Sequence, residues 1–162
     1  MATAVGVLSS YRAAMTSLPR PLVTVGALLV SPSGHVLLIH THKWRGLWGV
    51  PGGKIDYGET IAAALKREVL EETGQNMAEI RWAPVQEAVN SSEFFKPSHM
   101  ILLNFVARCH SEAVVLNEEA DAFAWLTVSE ALDYPLNTPT RNLVRYYQQH
   151  GFSGEPLVCR PH

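Results

Sequence analysis

Residues 52–74 read GGKIDYGETIAAALKREVLEETG and crowd Glu68, Glu71 and Glu72 into little more than one helical turn, directly after a glycine-rich loop. Like charges three and four residues apart on a helix oppose its formation by roughly 0.2–0.5 kcal/mol per pair. The segment is nevertheless the strongest helix signal in the chain. Thr60 stands where an N-cap is needed, residues 61–73 contain no glycine or proline, and Gly74 can take the left-handed conformation that stops a helix.

At 100° per residue counted from Ile61, the residues Ile61, Ala62, Leu65 and Val69 share an arc of about 100°, the stripe that faces a core. Glu68 and Glu72 fall at about 340° and 20°, beside that stripe, and Glu71 near 280° on the same side. Ala64, at about 300°, leaves room above them. Carboxylates at the margin of a buried face need a counter-charge, because partial burial of an unpaired charge is costly. Arg67 can reach Glu71 one turn on, but one guanidinium does not neutralise three carboxylates. Hard divalent cations with all-oxygen shells, Mg²⁺ above all, suit such a cluster, and Mg²⁺ typically works with a few carboxylates plus substrate phosphates. The other reading is a solvated acidic face, and the preceding loop decides between the two.

From Gly53 the chain runs through Glu59 to Arg67-Glu68-Val69, then Glu71-Glu72 and Gly74. This spacing resembles the signature of the Nudix hydrolases, G-x5-E-x7-R-E-U-x-E-E-x-G-U, where U is a bulky apolar residue. Gly53, Glu59, Arg67, Glu68, Glu71, Glu72 and Gly74 all match, as does Val69. With each residue type at about one in fifteen, a chance match at such positions is on the order of one in a million. The last apolar position is Gln75, a departure that touches packing at the helix end rather than the carboxylates. The likeness extends to the lead-in LWGVPGG and, more loosely, to the order of strands from about residue 22 to 147.

The resemblance implies an α/β fold, a Nudix-type α/β/α sandwich with a central mixed β-sheet. It also implies a Mg²⁺- or Mn²⁺-dependent attack of water on a diphosphate linkage in a nucleotide-type small molecule. By the family pattern Glu68 and Glu72 are the main metal ligands, Glu71 is a further ligand, and Gly53 contributes its carbonyl. Arg67 is an orienting residue, and Glu59 a supporting ligand or an outer group. A further carboxylate from a later loop, as ligand or base, falls on Glu118 or Glu119 before Trp125, with Glu119 favoured; a solvated loop acid is the alternative.

Substrate choice is less defined. MutT-like triphosphate hydrolases carry an asparagine in a Pro-x-Asn-x-Pro segment that touches the base, and PLNTP at 135–139 resembles it, making Asn137 a base-reading candidate or the cap of the last helix. Trp44, Trp48, Phe94 and Phe95 are flat stacking partners, Trp48 being alternatively core. Lys43, Arg45 and Lys54 flank the loop and can meet phosphates. His40 and His42 would project from one face of a strand; zinc there is not favoured. The proline of ADP-ribose hydrolases falls at Asn90, and the tyrosine of dinucleoside polyphosphate hydrolases among Ser91, Ser92 and Glu93. The family-level expectation is a MutT-like nucleoside triphosphate pyrophosphohydrolase. A nucleotide-sugar or ADP-ribose pyrophosphatase is the alternative, and a nucleotide-sensing module without activity a more remote one.

The rest of the chain fits a single domain over residues 21–150, with an arm or short helix at 1–20 and a tail at 151–162. Residues 22–31 and 35–42 read as buried strands around a Pro-Ser-Gly turn, and 78–89, 99–110 and 121–128 as three more, the middle one central. Ser129 is a candidate N-cap for a short helix, and 140–150 a closing helix. With 162 residues, a net charge of −2 and no Lys/Arg block, a nucleic-acid polymer is not an expected partner. Two cysteines, Cys109 and Cys159, are too few for a disulfide framework, and no apolar run reaches the roughly 20 residues that span a bilayer. A cytoplasmic location, no membrane partner and, by the habit of relatives, a homodimer are the accompanying expectations.

Overall fold

Two strands begin the architecture, β1 (Leu22–Val30) and β2 (Val36–Thr41), joined at Pro32-Ser33-Gly34. Gly34 has φ of 86° and its N–H reaches the Ser31 carbonyl at 2.9 Å, a backbone that favours glycine. The computed structural model describes residues 19–158; the arm read at 1–20, except for its last two residues, and Cys159 lie outside the described residues.

A single turn of 3₁₀ helix at His42–Trp44 leads into the loop, where two strands form that the sequence does not announce. β3 (Trp48–Gly49) and β4 (Gly52–Lys54) are too short to show alternation. They exist because neighbours offer a ladder: β3 pairs with β2 through Ile39↔Gly49, and β4 with β1 through Val25↔Gly53 and Gly26↔Gly52. Helix α1 (Ile61–Thr73) follows as expected. The Thr60 hydroxyl accepts from the Ala63 N–H at 3.1 Å, and Gly74, at φ 70°, closes the helix on the Leu70 carbonyl.

After α1 come β5 (Met77–Trp82), β6 (Gln86–Val89), β7 (His99–Cys109), β8 (Ala120–Leu126), α2 (Val128–Asp133) and α3 (Thr138–His150). The expected strand over 78–89 is therefore two, interrupted at Pro84, which has no N–H to give a ladder. Both halves pair with the long β7, β5 at its far end and β6 at its start. The short helix is also capped earlier than expected. Thr127, not Ser129, is the N-cap, in a reciprocal box with Glu130.

The sheet runs β3-β2-β1-β7-β5, with β8 on β2, β4 on β1 and β6 on β7. β1 and β7 are parallel from Leu22↔Met100 to Val30↔Arg108, and the other pairs are antiparallel, so the sheet is mixed. One face packs Val25, Leu29, Ile39 and Phe105 against Leu65 and Val69 of α1. The opposite face packs Leu28, Leu38 and Val106 against Ala131 of α2 and Leu143 and Val144 of α3. Burying each such side chain contributes roughly 1.5–3 kcal/mol. Helices on both faces make the α/β/α sandwich that the sequence implied, with β1 and β7 covered on both sides and hence apolar along most of their length.

Residues 151–158, read as a tail, lie along β5: Trp82 N–H meets the Glu155 carbonyl and Leu157 N–H the Ile80 carbonyl, both at 2.9 Å. Among the described residues no helix is long and apolar enough to cross a membrane.

Candidate active site

Gly53 is where loop and helix meet most closely. A Cβ at that position would overlap the Glu68 carboxyl carbon, and one at Gly52 would overlap the Val25 carbonyl of β1. The two glycines thus let β4 sit flush between β1 and α1, which brings the loop backbone onto the acidic face of the helix. Glu72 completes the joint: its Oε2 accepts from the Gly52 N–H at 2.7 Å, and the residue is 3% exposed.

Burial is the main influence on Glu72 and pushes its carboxyl pKa up to about 8, against the pull of the Gly52 N–H and the Lys43 ammonium. Glu59 is moved the other way. Hydrogen bonds from Arg67, then from the Asp56 N–H, hold it down at about 2.

Arg67 organises the cluster. Its Nε and Nη2 grip the two Glu59 oxygens at 2.7 and 2.9 Å, Nη1 reaches Glu68 Oε1 at 2.8 Å, and Nη2 also donates to the Lys54 carbonyl at 3.1 Å. Glu71 is a looser contact at 3.4 Å, with about half its side chain in solvent. These bonds raise the Arg67 pKa, Glu59 first and Glu68 next.

On the sheet face that carries α2 and α3 lies a cavity of about 340 Å³ whose floor is formed by Thr24, Gly26, Leu102 and Asn104. Gly53, Glu68 and Glu119 line it together with Lys43 and Lys54; Trp44, Phe94 and Phe95 form an aromatic wall, and Asn137 and Thr140 complete the lining. The Lys43 ammonium contacts the Glu119 carboxylate. Burial disfavours the charged lysine, but Glu119, with Glu72 and Glu68 beyond it, outweighs that and leaves the Lys43 pKa above its ordinary value. Trp44 and Phe94 meet edge to face at 4.9 Å, and Phe95 follows at 4.8 Å.

Several residues singled out in the sequence stand elsewhere. Arg45 does not line the cavity; its guanidinium approaches the Phe95 carbonyl at 3.4 Å, tying the two loops together, and its backbone is left-handed at φ 49°. Trp48 is core, wedged between His40 and Tyr134. Asn137 caps α3, its Oδ1 accepting from the Thr140 N–H at 2.9 Å, while it also lines the cavity. His40 pairs with Asp121 at 2.6 Å. Gln75, the departure from the signature, is buried and donates to the Ala113 carbonyl, which suits a polar residue at that helix end. Asn104 was not anticipated; the clue was a lone amide in the otherwise apolar MILLNFVA of β7.

In these side-chain positions no three His, Cys, Asp or Glu groups among the described residues converge as a finished metal shell. The donor set nonetheless fits a hard divalent cation in kind: carboxylates of Glu68, Glu72 and Glu119, and backbone oxygen from the loop, gathered around the Lys43 ammonium as their present counter-charge.

The family model for the NUDIX domain matches residues 20–147. Nucleoside triphosphatase NudI of Klebsiella pneumoniae is 30% identical over 128 residues, 73% of this chain and 91% of that protein. The crystal structure of a MutT NUDIX hydrolase from Burkholderia pseudomallei superposes with a TM-score of 0.66 at 27% identity, covering 78% of this chain and 98% of the other. The NUDIX domain of Shewanella oneidensis NrtR, solved with ADP-ribose, gives a TM-score of 0.71 at 21% identity over 91% and 97% of the two chains, a likeness of fold. Signature, sheet and relatives agree, and the chain belongs to the Nudix family as a MutT-like Nudix hydrolase.

Proposed function

We propose that this hydrolase cleaves a nucleoside triphosphate to the monophosphate and pyrophosphate, using Mg²⁺ or Mn²⁺. The observation that carries the reading is one cavity lined both by carboxylates and lysines and by three aromatic rings and two amides. That layout suits a charged polyphosphate joined to a flat base. The triphosphatase named among the relatives supports the same choice.

Glu68, Glu72 and Glu119 would hold the ion, with Glu71 and the Gly53 carbonyl as further donors. When bound, a divalent ion neutralises phosphate charge and lowers the pKa of water. Arg67 keeps Glu68 and Glu59 in place through its three-sided grip. Lys43 and Lys54 balance the charge of the phosphates, and Lys43 holds one oxygen of Glu119, leaving the other for an ion. Trp44, Phe94 and Phe95 exclude water from one side of the base and offer it a face to stack on.

The test is a screen of pyrophosphate and phosphate release with ribo- and deoxyribonucleoside triphosphates, nucleotide sugars, ADP-ribose and dinucleoside polyphosphates, each with Mg²⁺ and then Mn²⁺. Triphosphates are expected to give the highest kcat/KM, with pyrophosphate as product. Preferred turnover of ADP-ribose or a nucleotide sugar overturns the substrate, and no turnover of any compound overturns the activity. Glu72→Gln, which can still accept from the Gly52 N–H, is expected to keep the fold while turnover falls by orders of magnitude.

A further inference from the structure

The floor of the cavity holds an amide that cannot turn. Asn104 is the lone polar residue in the central run of β7 and is 3% exposed. Its Nδ2 donates to the Pro84 carbonyl at 2.9 Å and to the Leu102 carbonyl at 3.4 Å. Two carbonyls settle which end of the amide is nitrogen, since the flipped group would set oxygen against oxygen. The Pro84 carbonyl is available because the chain breaks there between β5 and β6. What remains is Oδ1, an acceptor with no donor among the described residues, on a side chain that lines the cavity. It is not sealed from solvent, since Thr41 Oγ1 is the one fully buried polar side-chain atom without a partner among the described residues, and a ligand that donates to Asn104 Oδ1 takes the place of water there.

Its placement indicates which atom that ligand brings. Asn104 pairs with Gly26 on β1, and Gly26 with Gly52 on β4. Two ladder spacings, roughly 10 Å, therefore separate Asn104 from the backbone that meets Glu72 in the last turn of the acidic helix. That is comparable to the span from the phosphate of a nucleotide to the outer edge of its base. With phosphates at Glu68 and Lys54 and the base along the Trp44–Phe94–Phe95 wall, the floor acceptor meets the exocyclic substituent of the ring.

We propose that Asn104 is a specificity-determining residue that accepts a hydrogen bond from an exocyclic amine, so that the enzyme prefers bases aminated at pyrimidine position 4 or purine position 6 over their keto counterparts. The proposal rests on the triphosphatase reading. A keto oxygen at that point faces the Asn104 oxygen, and neither can donate; because Nδ2 is held by two carbonyls, the amide cannot reverse to suit it. This separates Asn104 from Asn137, whose Oδ1 is taken by Thr140 and whose free end is a donor.

Binding and turnover are measured separately. Calorimetry of the wild-type protein with CMP against UMP and AMP against IMP reads the amine preference without hydrolysis, and kcat/KM for CTP, UTP, ATP and ITP reads it with hydrolysis. Each amino compound is expected to be favoured about tenfold or more over its keto partner, the pyrimidine and purine arms showing which ring the cavity takes. In Asn104→Leu the ratio is expected to fall to within about twofold; Asn104→Ser, whose hydroxyl donates or accepts, serves if leucine does not fold. Equal or reversed affinities in the wild type, or a preference that survives both substitutions, overturn the proposal. Retained amine preference without triphosphate hydrolysis overturns the triphosphatase reading and supports the assignment of Asn104.

Discussion

Arg67 and Glu59 meet as a fork on a fork, Nε to Oε1 at 2.7 Å and Nη2 to Oε2 at 2.9 Å, and the third arm of the same guanidinium lies 2.8 Å from Glu68. The pair joins the loop to the helix eight residues on, so the direction of Glu68 depends on a residue that does not line the cavity. Lysine has a single ammonium on a flexible stem and cannot reproduce two parallel bonds plus a third. Arg67→Lys is expected to lower kcat about 10–100-fold, the range for groups that orient metal ligands, with a smaller change in KM. Steady-state kinetics across a metal titration would check this; unchanged kcat would reduce the fork to an ordinary surface ion pair.

The same fork predicts an acid dependence of stability. Glu59 titrates at about 2 in the folded protein against an ordinary value of 4.5. A depressed carboxylate favours the fold above the unfolded-state value, and that contribution fades as pH falls from 4.5 through about 2. Thermal melts of wild type and Glu59→Gln should therefore differ most near neutral pH and converge in acid. A gap that stays constant down to about pH 2 would mean that the charge of Glu59 is not what the fold uses.

Gly53 and Gly34 separate the two reasons for a glycine. Gly53 has no room for a Cβ beside Glu68, whereas Gly34 has nothing within 4 Å but a φ of 86°. Gly34→Ala should cost about 1–2 kcal/mol of stability through its backbone and leave kcat unchanged. Gly53→Ala should displace the Glu68 carboxylate and cut kcat about 10²-fold or more. Melting temperature and kcat measured on both proteins would show opposite patterns.

How much of this was legible in the sequence depends on the range of the forces. Helix α1, its caps and the convergence of its glutamates follow from 100° periodicity and from Thr60 and Gly74, which act within a few residues. β3 and β4 were not legible, since a ladder partner more than twenty residues away in β1 is what makes Gly52–Lys54 a strand. The break at Pro84 was written in the sequence as a missing N–H, yet it only becomes two strands because β7 is long enough to pair with both. Ser129, the candidate cap, and Thr127, the cap found, both offer a hydroxyl, and the position of Glu130 three residues after Thr127 is what selects the latter. Asn104 was visible as a polar interruption, but its meaning required the Pro84 carbonyl, twenty residues earlier, to fix the amide.

Lys43 supplies the last prediction. Its ammonium contacts Glu119 and lies within electrostatic reach of Glu72 and Glu68, so in the metal-free protein it is the counter-charge to the acidic cluster. A divalent cation entering that cluster competes with it for the same negative charge. Lys43→Met keeps the length of the stem and removes the charge; without metal the variant should melt lower, because Glu119 loses its cationic partner. Metal should bind it more tightly, by about two- to fivefold given that the Lys43–Glu119 pair is partly exposed and screened. Thermal-shift titrations with Mn²⁺ would therefore show a larger stabilisation in the variant than in the wild type, even as loss of a cation beside the phosphates lowers turnover. Equal shifts in the two proteins would place the ion away from Lys43 and Glu119, and would remove Glu119 from the ligands of the site.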